Sequence, residues 1–357
     1  MNEAHYYNSI ALVTHSGYAT MKRYRAAAGG SWEAAYHMLR GNPALIPEDA
    51  PPLPDAREAY EYMESFGIRL VLNTEREFPE ALRHIPYPPF GIYLRGGNGA
   101  KAAGAFPSMS ATLAVVGTRR ASADGKKIAR SFARELAGAG FTIASGLAFG
   151  IDGAAHEGAL DAGGATVAVL AGGLDAVYPH SHRGLAERIL ASGGTLVSEY
   201  PPGEAPLAYR FIERNRIMSG ISRGALIVEA PESSGALATA RYAVEQDREV
   251  FVVPGAVTAS GFKGSHALIR QGAELVTSPD DILSAYDIDK KKSVLAAQET
   301  SSPEEILVLK ALADISAPAD VDKLIALTRL EPRIVNRVLS FLLLRGIVKE
   351  TDAGYTI

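Results

Sequence analysis

The strongest constraint on the fold is a strand–helix alternation that repeats six times between residues 113 and 270. Short, almost wholly apolar segments such as Leu113–Val116, Thr166–Leu170 and Val250–Val253 alternate with segments whose apolar residues recur at helical spacing. Strands that lack a polar face are buried on both sides, and a helix between two such strands makes them parallel neighbours. The sequence therefore predicts an α/β fold with a doubly wound, mostly parallel sheet. Ligands of such sheets bind at the carboxyl ends of the strands.

Composition around this repeat divides the chain into three predicted domains. Residues 1–100 contain short helical segments and a lead-in segment, and residues 105–287 contain the strand–helix repeat. Residues 303–357 contain three amphipathic helices and a tail that suits a hairpin, a combination that favours a winged helix. The glycine-rich residues 96–104 and the lysine-containing residues 287–302 are predicted linkers.

Several classes of protein are disfavoured by composition. The chain has no cysteine, so disulfides and thiolate metal sites are excluded, and it has no apolar run near the ~20 residues that cross a bilayer. Residues 1–10 lack the basic-then-apolar pattern of an export signal. Neither Gly-x-Gly-x-x-Gly after the first strand nor a P-loop occurs. We therefore expect a soluble cytoplasmic protein without a cofactor, a metal or a membrane partner.

Positive charge is concentrated in two short segments although the net charge is −4. Asp124 is the only acid between residues 113 and 134, and Glu213 is the only acid between residues 210 and 223. Any site for a polyanion should lie at these clusters. Their members are Arg119, Arg120, Lys126, Lys127, Arg130 and Arg134 in the first, and Arg210, Arg214, Arg216 and Arg223 in the second.

The turn after the first repeat strand is a candidate anion site. It reads Gly117-Thr118-Arg119, and it leads into a helix. Backbone N–H groups at a tight turn and a helix start attract anions, and a guanidinium group can bind a phosphate through two hydrogen bonds. An ordinary strand–helix turn with solvated arginines is the alternative interpretation.

The second repeat strand ends in another glycine-rich segment. It begins with Ser145-Gly146, where a backbone without side chains could approach a ligand closely. Asp152 and His156 follow one helical turn apart. A catalytic pair is one interpretation of these two residues, and helix capping and packing is the other.

The segment Phe211–Arg216 combines the groups that bind single-stranded nucleic acid. Arg214 and Arg216 could bind phosphates, Asn215 could bind a base edge, and Phe211 could stack on a base. The alternative is an interdomain ion-pair network with a core phenylalanine.

Later strand ends carry similar residues. Ser234-Gly235 precedes a helix, and Lys263 lies in a glycine-containing loop. Five successive strand ends thus carry Gly, Ser, Thr or Arg without a convincing nucleophile–base pair. This pattern favours binding of a phosphate backbone over bond-breaking chemistry.

An ordered series of motifs connects these segments. It contains Phe78–Pro89, Val115-Val116-Gly117-Thr118-Arg119, Ser145-Gly146-Leu147-Ala148, Gly150-Ile151-Asp152, Tyr178-Pro179, Ser198-Glu199, Arg214-Asn215-Arg216, Val228-Glu229-Ala230, Ser234-Gly235 and Pro254-Gly255. In this order the series resembles the DNA-processing protein A family (DprA, also called Smf). The resemblance covers almost the whole chain and is strongest between residues 78 and 276.

The resemblance implies an extended Rossmann-like core that binds single-stranded DNA, forms a homodimer and is not an enzyme. It also implies delivery of DNA to a RecA-type recombinase during natural transformation, a sterile-alpha-motif-like N-terminal domain and a winged-helix appendage. Arg119, Arg214 and Arg216 would hold phosphates. With the strand-end argument, the predicted DNA-binding residues are Gly117, Thr118, Arg119, Ser145, Gly146, Phe211, Arg214, Asn215, Arg216, Ser234, Gly235 and Lys263.

Three residues depart from the family pattern. Glu213 places an acid beside Arg214, where it is expected to weaken the positive field. His182 and His266 stand where the family has asparagine, so the grip on DNA could depend on pH.

Two other functions stay open at this point. A nucleotide N-glycosidase of the related lysine-decarboxylase-like fold would carry a Pro-Gly-Gly-x-Gly-Thr loop, whereas the comparable segments here are residues 231–235 and 254–256 without that motif. A duplex-DNA regulator acting through residues 303–357 rests on fold analogy alone.

Overall fold

The computed structural model describes residues 1–96 except 16 and 49, residues 111–288, and residues 303–356 except 314, 316–317, 345–347 and 352–353. Both predicted linkers fall almost entirely outside the described residues. In the described part of the chain, no helix has both the length and the apolar character needed to cross a membrane.

A nine-stranded sheet forms the centre of the molecule. Its strands are β1 (Arg69–Leu72), β2 (Gly91–Gly96), β3 (Thr112–Val116), β4 (Thr142–Ser145), β5 (Thr166–Leu170), β6 (Thr195–Ser198), β7 (Gly224–Ile227), β8 (Glu249–Val252) and β9 (Glu274–Leu275). The order across the sheet is β1-β2-β6-β5-β4-β3-β7-β8-β9. Strands β3 to β9 pair in parallel, whereas β2 pairs antiparallel with β1 and β6.

Helices cover both faces of this sheet, as expected for a doubly wound fold. They are α1 (Glu3–Thr14), α2 (Tyr18–Ala27), α3 (Trp32–Gly41), α4 (Ala56–Ser65), α5 (Glu80–Arg83), α6 (Ala123–Gly138), α7 (Ile151–Asp161), α8 (Arg183–Ala191), α9 (Arg210–Gly220), α10 (Ala236–Glu245), α11 (Lys263–Arg270) and α12 (Pro279–Ala285). One buried cluster joins α6 and α7 to the sheet, and a second joins α9 and α10 to its other face. The predicted α/β fold class and the six parallel strands β3–β8 are confirmed.

The predicted boundary near residue 100 does not separate two sheets. Strand β2 lies before it and pairs with β6, which lies after it. The N-terminal helices also share a buried cluster with the sheet, in which Trp32 and Tyr7 meet Leu170 and Leu196. The sterile-alpha-motif-like assignment of these helices stays a prediction.

Helix α1 was not predicted from the sequence. Its side chains are buried around most of the helix, so no apolar stripe with a polar opposite face marks it. Asn8 shows how it is held: its Nδ2 donates to Ala59 O at 3.0 Å, and its Oδ1 accepts from the Tyr93 hydroxyl at 3.0 Å.

The C-terminal part has its own buried cluster, which includes Val308, Leu324 and Leu339. Its elements are α13 (Pro303–Ala313), α14 (Val321–Thr328), α15 (Pro332–Leu344), β10 (Lys349–Thr351) and β11 (Gly354–Thr356), of which the two strands form an antiparallel hairpin. A β-bridge between Ala319 and Tyr355 adds a third strand position. The element order is that of the prediction, and the winged-helix assignment itself stays a prediction.

The direction of winding reverses between β3 and β7. From β3 the chain proceeds through β4 and β5 to β6 on one side, and from β7 through β8 to β9 on the other. The loops after β3 and β7 therefore leave the sheet in opposite directions and open a crevice at its carboxyl edge.

Candidate nucleic-acid interface

A cavity of about 710 Å³ occupies this crevice. Its walls come from the turn after β3, the start of α7, the first half of α9 and the segment before α10. The sequence-predicted residues that line it are Gly117, Thr118, Arg119, Phe211, Arg214, Asn215, Ser234 and Gly235. Ser145, Gly146, Arg216 and Lys263 do not line it.

The turn after β3 is shaped by a close crossing of two chain segments. Thr118 N donates to Glu229 O at 2.7 Å, and a Cβ atom on Gly117 would lie 2.9 Å from the same carbonyl. It would also collide with Ile151. Glycine is therefore required at 117 by the packing of the protein, and not only by the approach of a ligand.

Glu229 is the residue that the sequence analysis failed to place in the site. Its buried carboxylate accepts from Ser122 N at 3.0 Å and from Ser122 Oγ at 2.8 Å, directly before α6. The protein thus supplies its own anion at the helix start where a phosphate was expected. Arg120 N donates to Thr118 Oγ1 at 3.2 Å, so the backbone of this turn is largely occupied. The sequence feature that could have indicated this role is a single acid, Glu229, shortly after an apolar strand.

Arg119 and Phe211 form a stacked pair at the cavity. Arg119 is exposed, and its Cζ lies 4.3 Å from the centre of the half-buried Phe211 ring. A guanidinium group that stacks through its face keeps its N–H groups at the edge, where they can bind a phosphate. Phe211 is only half-buried and lines the cavity, so part of its ring is open to a ligand there. The geometry is compatible with both predicted roles.

Arg214 lies beneath the cavity and contacts the protein itself. Its Nη1 donates to Gly146 O at 2.9 Å and to Val169 O, and its Nε donates to Asn215 Oδ1 at 3.1 Å. Burial lowers the pKa of Arg214 to about 10, although the negative charge of Asp152 opposes this shift. Arg214 thus connects the ends of β4 and β5 to α9, and its expected phosphate contact stays a prediction.

Ser145 and Gly146 are also inside the protein. Ser145 is fully buried and its Oγ donates to Val115 O at 2.6 Å. A Cβ atom on Gly146 would lie 2.5 Å from Arg214 Cζ. The close approach that the sequence suggested for a DNA strand is thus made by Arg214.

Arg216 is held by an acid. Its Nη2 lies 2.6 Å from both carboxylate oxygens of Glu199, and both side chains are buried. Residues two apart on a helix point about 200° apart, so Arg216 faces away from the side on which Arg214 lies. This buried ion pair anchors α9 to the end of β6, and the predicted phosphate contact of Arg216 stays a prediction.

Asn215 and the segment before α10 form the opposite wall. Asn215 Nδ2 donates to Gly235 O at 3.2 Å, so its amide is used within the protein. Gly235 is exposed, and the nearest atom to a Cβ placed there would be 3.7 Å away. Thr239 also lines the cavity, and its buried Oγ1 has no hydrogen-bond partner among the described residues. Ser234 Oγ accepts from Ala236 N at 3.2 Å.

Comparison with known proteins decides the family. The model of the family described as DNA recombination-mediator protein A matches residues 69–287. This chain belongs to that family. The resemblance to DprA and Smf proteins that the motifs indicated is confirmed.

Individual relatives agree. Protein Smf of Escherichia coli is 53% identical over 171 residues, which are 48% of this chain and 46% of that protein. DprA of Streptococcus pneumoniae is 37% identical over 252 residues, covering 69% of this chain and 83% of that protein. The matched segment thus spans about half the length of the E. coli relative.

Two solved structures share the fold. The X-ray structure of DprA from S. pneumoniae superposes with a TM-score of 0.61 at 30% identity, covering 80% of this chain and 98% of that one. DprA from Helicobacter pylori, described in terms of its single-stranded DNA binding mode, superposes with a TM-score of 0.53 at 28% identity, covering 61% and 94%.

The three residues that depart from the family pattern all form contacts within the protein. Glu213 Oε2 accepts from the Tyr200 hydroxyl at 2.8 Å, and Glu213 does not line the cavity. His182 Nδ1 lies 2.9 Å from Leu147 O, and His266 Nε2 lies 3.1 Å from Gly255 O. Both histidines hold loops at the carboxyl edge. Lys263 is exposed at the start of α11.

Asp152 and His156 are engaged separately. Asp152 Oδ2 accepts from Gly146 N at 3.1 Å, and burial raises the pKa of Asp152. His156 is fully buried, and its Nδ1 lies 2.7 Å from Thr166 Oγ1. The N-cap of α7 is Gly150, and no side chain makes a cap hydrogen bond there, so the capping role expected of Asp152 is wrong. Asp152 instead holds the loop after β4, and packing describes this pair better than catalysis does.

Acid is expected to destabilise the protein through His156. Burial, assisted by the positive charges of His182 and Arg214, lowers the pKa of His156 from 6.5 to about 3. Between pH 6.5 and about 3, His156 is therefore protonated in the unfolded chain but neutral in the folded chain. Because proton binding stabilises only the unfolded chain, the free energy of unfolding decreases as pH falls through this range. At pH 5 the loss should be roughly 2 kcal/mol.

Urea denaturation at pH 7.5 and pH 5 measures this loss. The variant His156→Gln has no proton to gain, so its free energy of unfolding should fall by roughly 2 kcal/mol less between the two pH values. His84→Gln, at a side chain that is 74% exposed, serves as the control and should behave as the wild type. Equal pH dependence of wild type and His156→Gln would contradict the prediction.

Proposed function

We propose that this chain binds single-stranded DNA at the cavity, without cleaving or joining it, and delivers it to a RecA-type recombinase during natural transformation. The observation that carries the proposal is the Arg119–Phe211 pair, exposed at a cavity where the sheet reverses its winding. Homodimer formation and a cytoplasmic location are part of the same proposal and rest on family membership and sequence.

The Arg119–Phe211 pair can contact a phosphate and an unpaired base, and single-stranded DNA presents these two groups side by side. The guanidinium edge binds a phosphate, and the part of the Phe211 ring that is open to the cavity contacts an unpaired base. Bases of a duplex are already stacked and paired, so a ring can reach them only after they are released. The Thr239 hydroxyl, which has no hydrogen-bond partner in the described part of the chain, supplies a further hydrogen-bonding group at the cavity wall.

A binding function also agrees with the acids that line the cavity. Asp152 accepts from Gly146 N, and Glu229 accepts from Ser122 N and Oγ. An N-glycosidase needs a carboxylate that is free to act on its substrate, whereas Asp152 Oδ2 and Glu229 Oε2 already accept hydrogen bonds from the protein. The cavity is therefore better suited to DNA binding than to glycosidase chemistry.

Arg119→Ala should weaken binding of oligo-dT roughly tenfold, because a charge-assisted contact is lost. Each phosphate neutralised on a single strand contributes about −0.7 to the slope of log affinity against log salt. Exposed Arg119, Arg120 and Lys263 can serve about three phosphates, which predicts a slope near −2. Arg119→Ala should make this slope less steep by about 0.7. Fluorescence anisotropy with a labelled strand at several salt concentrations measures both quantities.

Arg134→Ala is the matched control for this experiment. It removes the same charge from an exposed position on α6, three turns from the helix start at the carboxyl edge. Its affinity and slope should equal those of the wild type. A wild-type slope near zero would refute the proposed binding mode.

A further inference from the structure

Two exposed aromatic rings stand beside the cavity, and the function proposed above does not use them. Tyr178 is 44% exposed in the loop after β5, and Phe149 is 47% exposed in the loop after β4. Both loops leave the sheet at the carboxyl edge, as does the turn that carries Arg119. Large apolar side chains clustered on a surface are typical of interaction sites.

Tyr178 continues the line formed by Arg119 and Phe211. Its ring centre lies 5.9 Å from that of Phe211, with an angle of 62° between the planes. Phe211 thus contacts Arg119 on one side and Tyr178 on another. Neighbouring nucleotides of one strand could therefore use neighbouring rings.

Phe149 is held next to the Arg119 turn by its own loop. A Cβ atom on the adjacent Gly150 would lie 2.8 Å from Arg119 O, which shows how closely the two segments touch. The Phe149 ring packs edge-on against His182, with centres 5.0 Å apart and planes at 71°. His182 in turn contacts Leu147 O. The ring is fixed on one side and open to solvent on the other.

We propose that Tyr178 and Phe149 are two further base-stacking positions for the DNA strand that the Arg119–Phe211 pair holds. This inference rests on the proposed function. Every base has a π face, so such rings extend the binding path without imposing a sequence. Two side chains held by packing against Phe211 and His182 lose little conformational entropy on binding.

The charge around the rings favours a strand that carries phosphates over an apolar protein segment. Arg119 and Arg120 are exposed on the adjoining turn, and Arg183, 79% exposed, follows the loop of Tyr178. A strand that stacks on the rings can place its phosphates near these cations. An apolar peptide offers no anion to these cations.

The test compares Tyr178→Ala and Phe149→Ala in oligo-dT binding. Each should weaken binding roughly tenfold, whereas Tyr178→Phe should bind as the wild type because the ring is kept. The salt slope should not change, because no cation is removed. A strand of equal length without bases should bind the wild type and both alanine variants equally. Tyr62→Ala, at a ring that is 55% exposed on α4, is the control and should have no effect.

Tyr178→Trp adds a direct readout. Stacking of a base on the new indole should quench its fluorescence, while the buried Trp32 contributes a constant signal.

The outcomes separate this inference from the proposed function. If the wild type binds oligo-dT and Arg119→Ala weakens it, but both ring variants bind as the wild type, the inference is refuted and the function stands. Ring variants that keep DNA affinity but lose binding to a recombinase would assign the rings to a protein contact and also refute it. If the wild type does not bind oligo-dT, both proposals fail.

Discussion

Glu199→Gln is expected to lower the free energy of unfolding by about 3–5 kcal/mol. The substitution keeps the shape of the side chain and removes its charge, so Arg216 remains buried as an unpaired cation. Arg216 has few other stabilising contacts, because its Nη1 has no hydrogen-bond partner among the described residues. Urea denaturation of wild type and variant measures the difference.

A double variant separates the cost of a lone charge from the value of the pair. Replacing Glu199 and Arg216 together by methionine should recover most of the lost stability, because two apolar side chains of similar size fill the same space. Glu187→Gln is the control, since Glu187 forms an exposed ion pair with Arg183 at 3.0 Å. Exposed pairs contribute about 0–1 kcal/mol, so this variant should unfold almost as the wild type does.

The same double variant tests the place of Arg216 in DNA binding. If Arg216 only anchors α9, the refolded double variant should bind oligo-dT within about threefold of the wild type, with the same salt slope. A slope that is less steep by about 0.7 would instead mean that Arg216 leaves Glu199 and contacts a phosphate.

The fold could be predicted because its signal is local. Each of β3 to β8 is a short apolar run followed by a helix, and that alternation permits few arrangements other than a parallel sheet with helices on both faces. The carboxyl edge follows from this topology. For that reason Gly117, Arg119, Phe211 and Gly235 could be assigned to one edge before any coordinates were known.

The roles of the arginines on α9 could not be predicted because they depend on distant partners. Arg216 pairs with Glu199, 17 residues earlier, and Arg214 contacts Val169 O, 45 residues earlier. Nothing in the segment itself distinguishes an arginine that faces solvent from one that binds a carbonyl beneath the cavity. In this structure Arg216 forms an ion pair within the core, and not the interdomain network that was the alternative interpretation.

Glycine-rich segments were ambiguous for a similar reason. A glycine allows a close approach, but the sequence does not say whether a ligand or the protein makes it. At Gly146 the approaching group is Arg214, and at Gly125 it is the carboxylate of Glu229. A Cβ on Gly235 would lie 3.7 Å from Ile212 Cδ1, an ordinary van der Waals contact, so the packing of the protein does not require glycine there. Its contact with DNA stays a prediction.

Gly150→Ala is expected to have the other large effect, on stability and DNA binding together. Gly150 has φ 79° and ψ −120°, a conformation that residues with a Cβ rarely adopt. The added methyl group would lie 2.8 Å from Arg119 O and closer still to Thr118 O. Backbone strain costs about 1–3 kcal/mol and overpacking about 1–3 kcal/mol, so the free energy of unfolding should fall by roughly 2–6 kcal/mol.

The same variant should lose at least about tenfold in affinity for oligo-dT, because the contact can be relieved only by moving the turn that holds Arg119 against Phe211. Gly163→Ala is the matched control: Gly163 has φ 64°, but a Cβ there would have no atom within 4 Å. It should cost only about 1–2 kcal/mol and leave affinity unchanged. Urea denaturation and anisotropy on both variants provide the comparison. Equal affinities for the two variants would mean that the position of the turn does not govern binding, because Gly150→Ala alone brings a side chain against that turn.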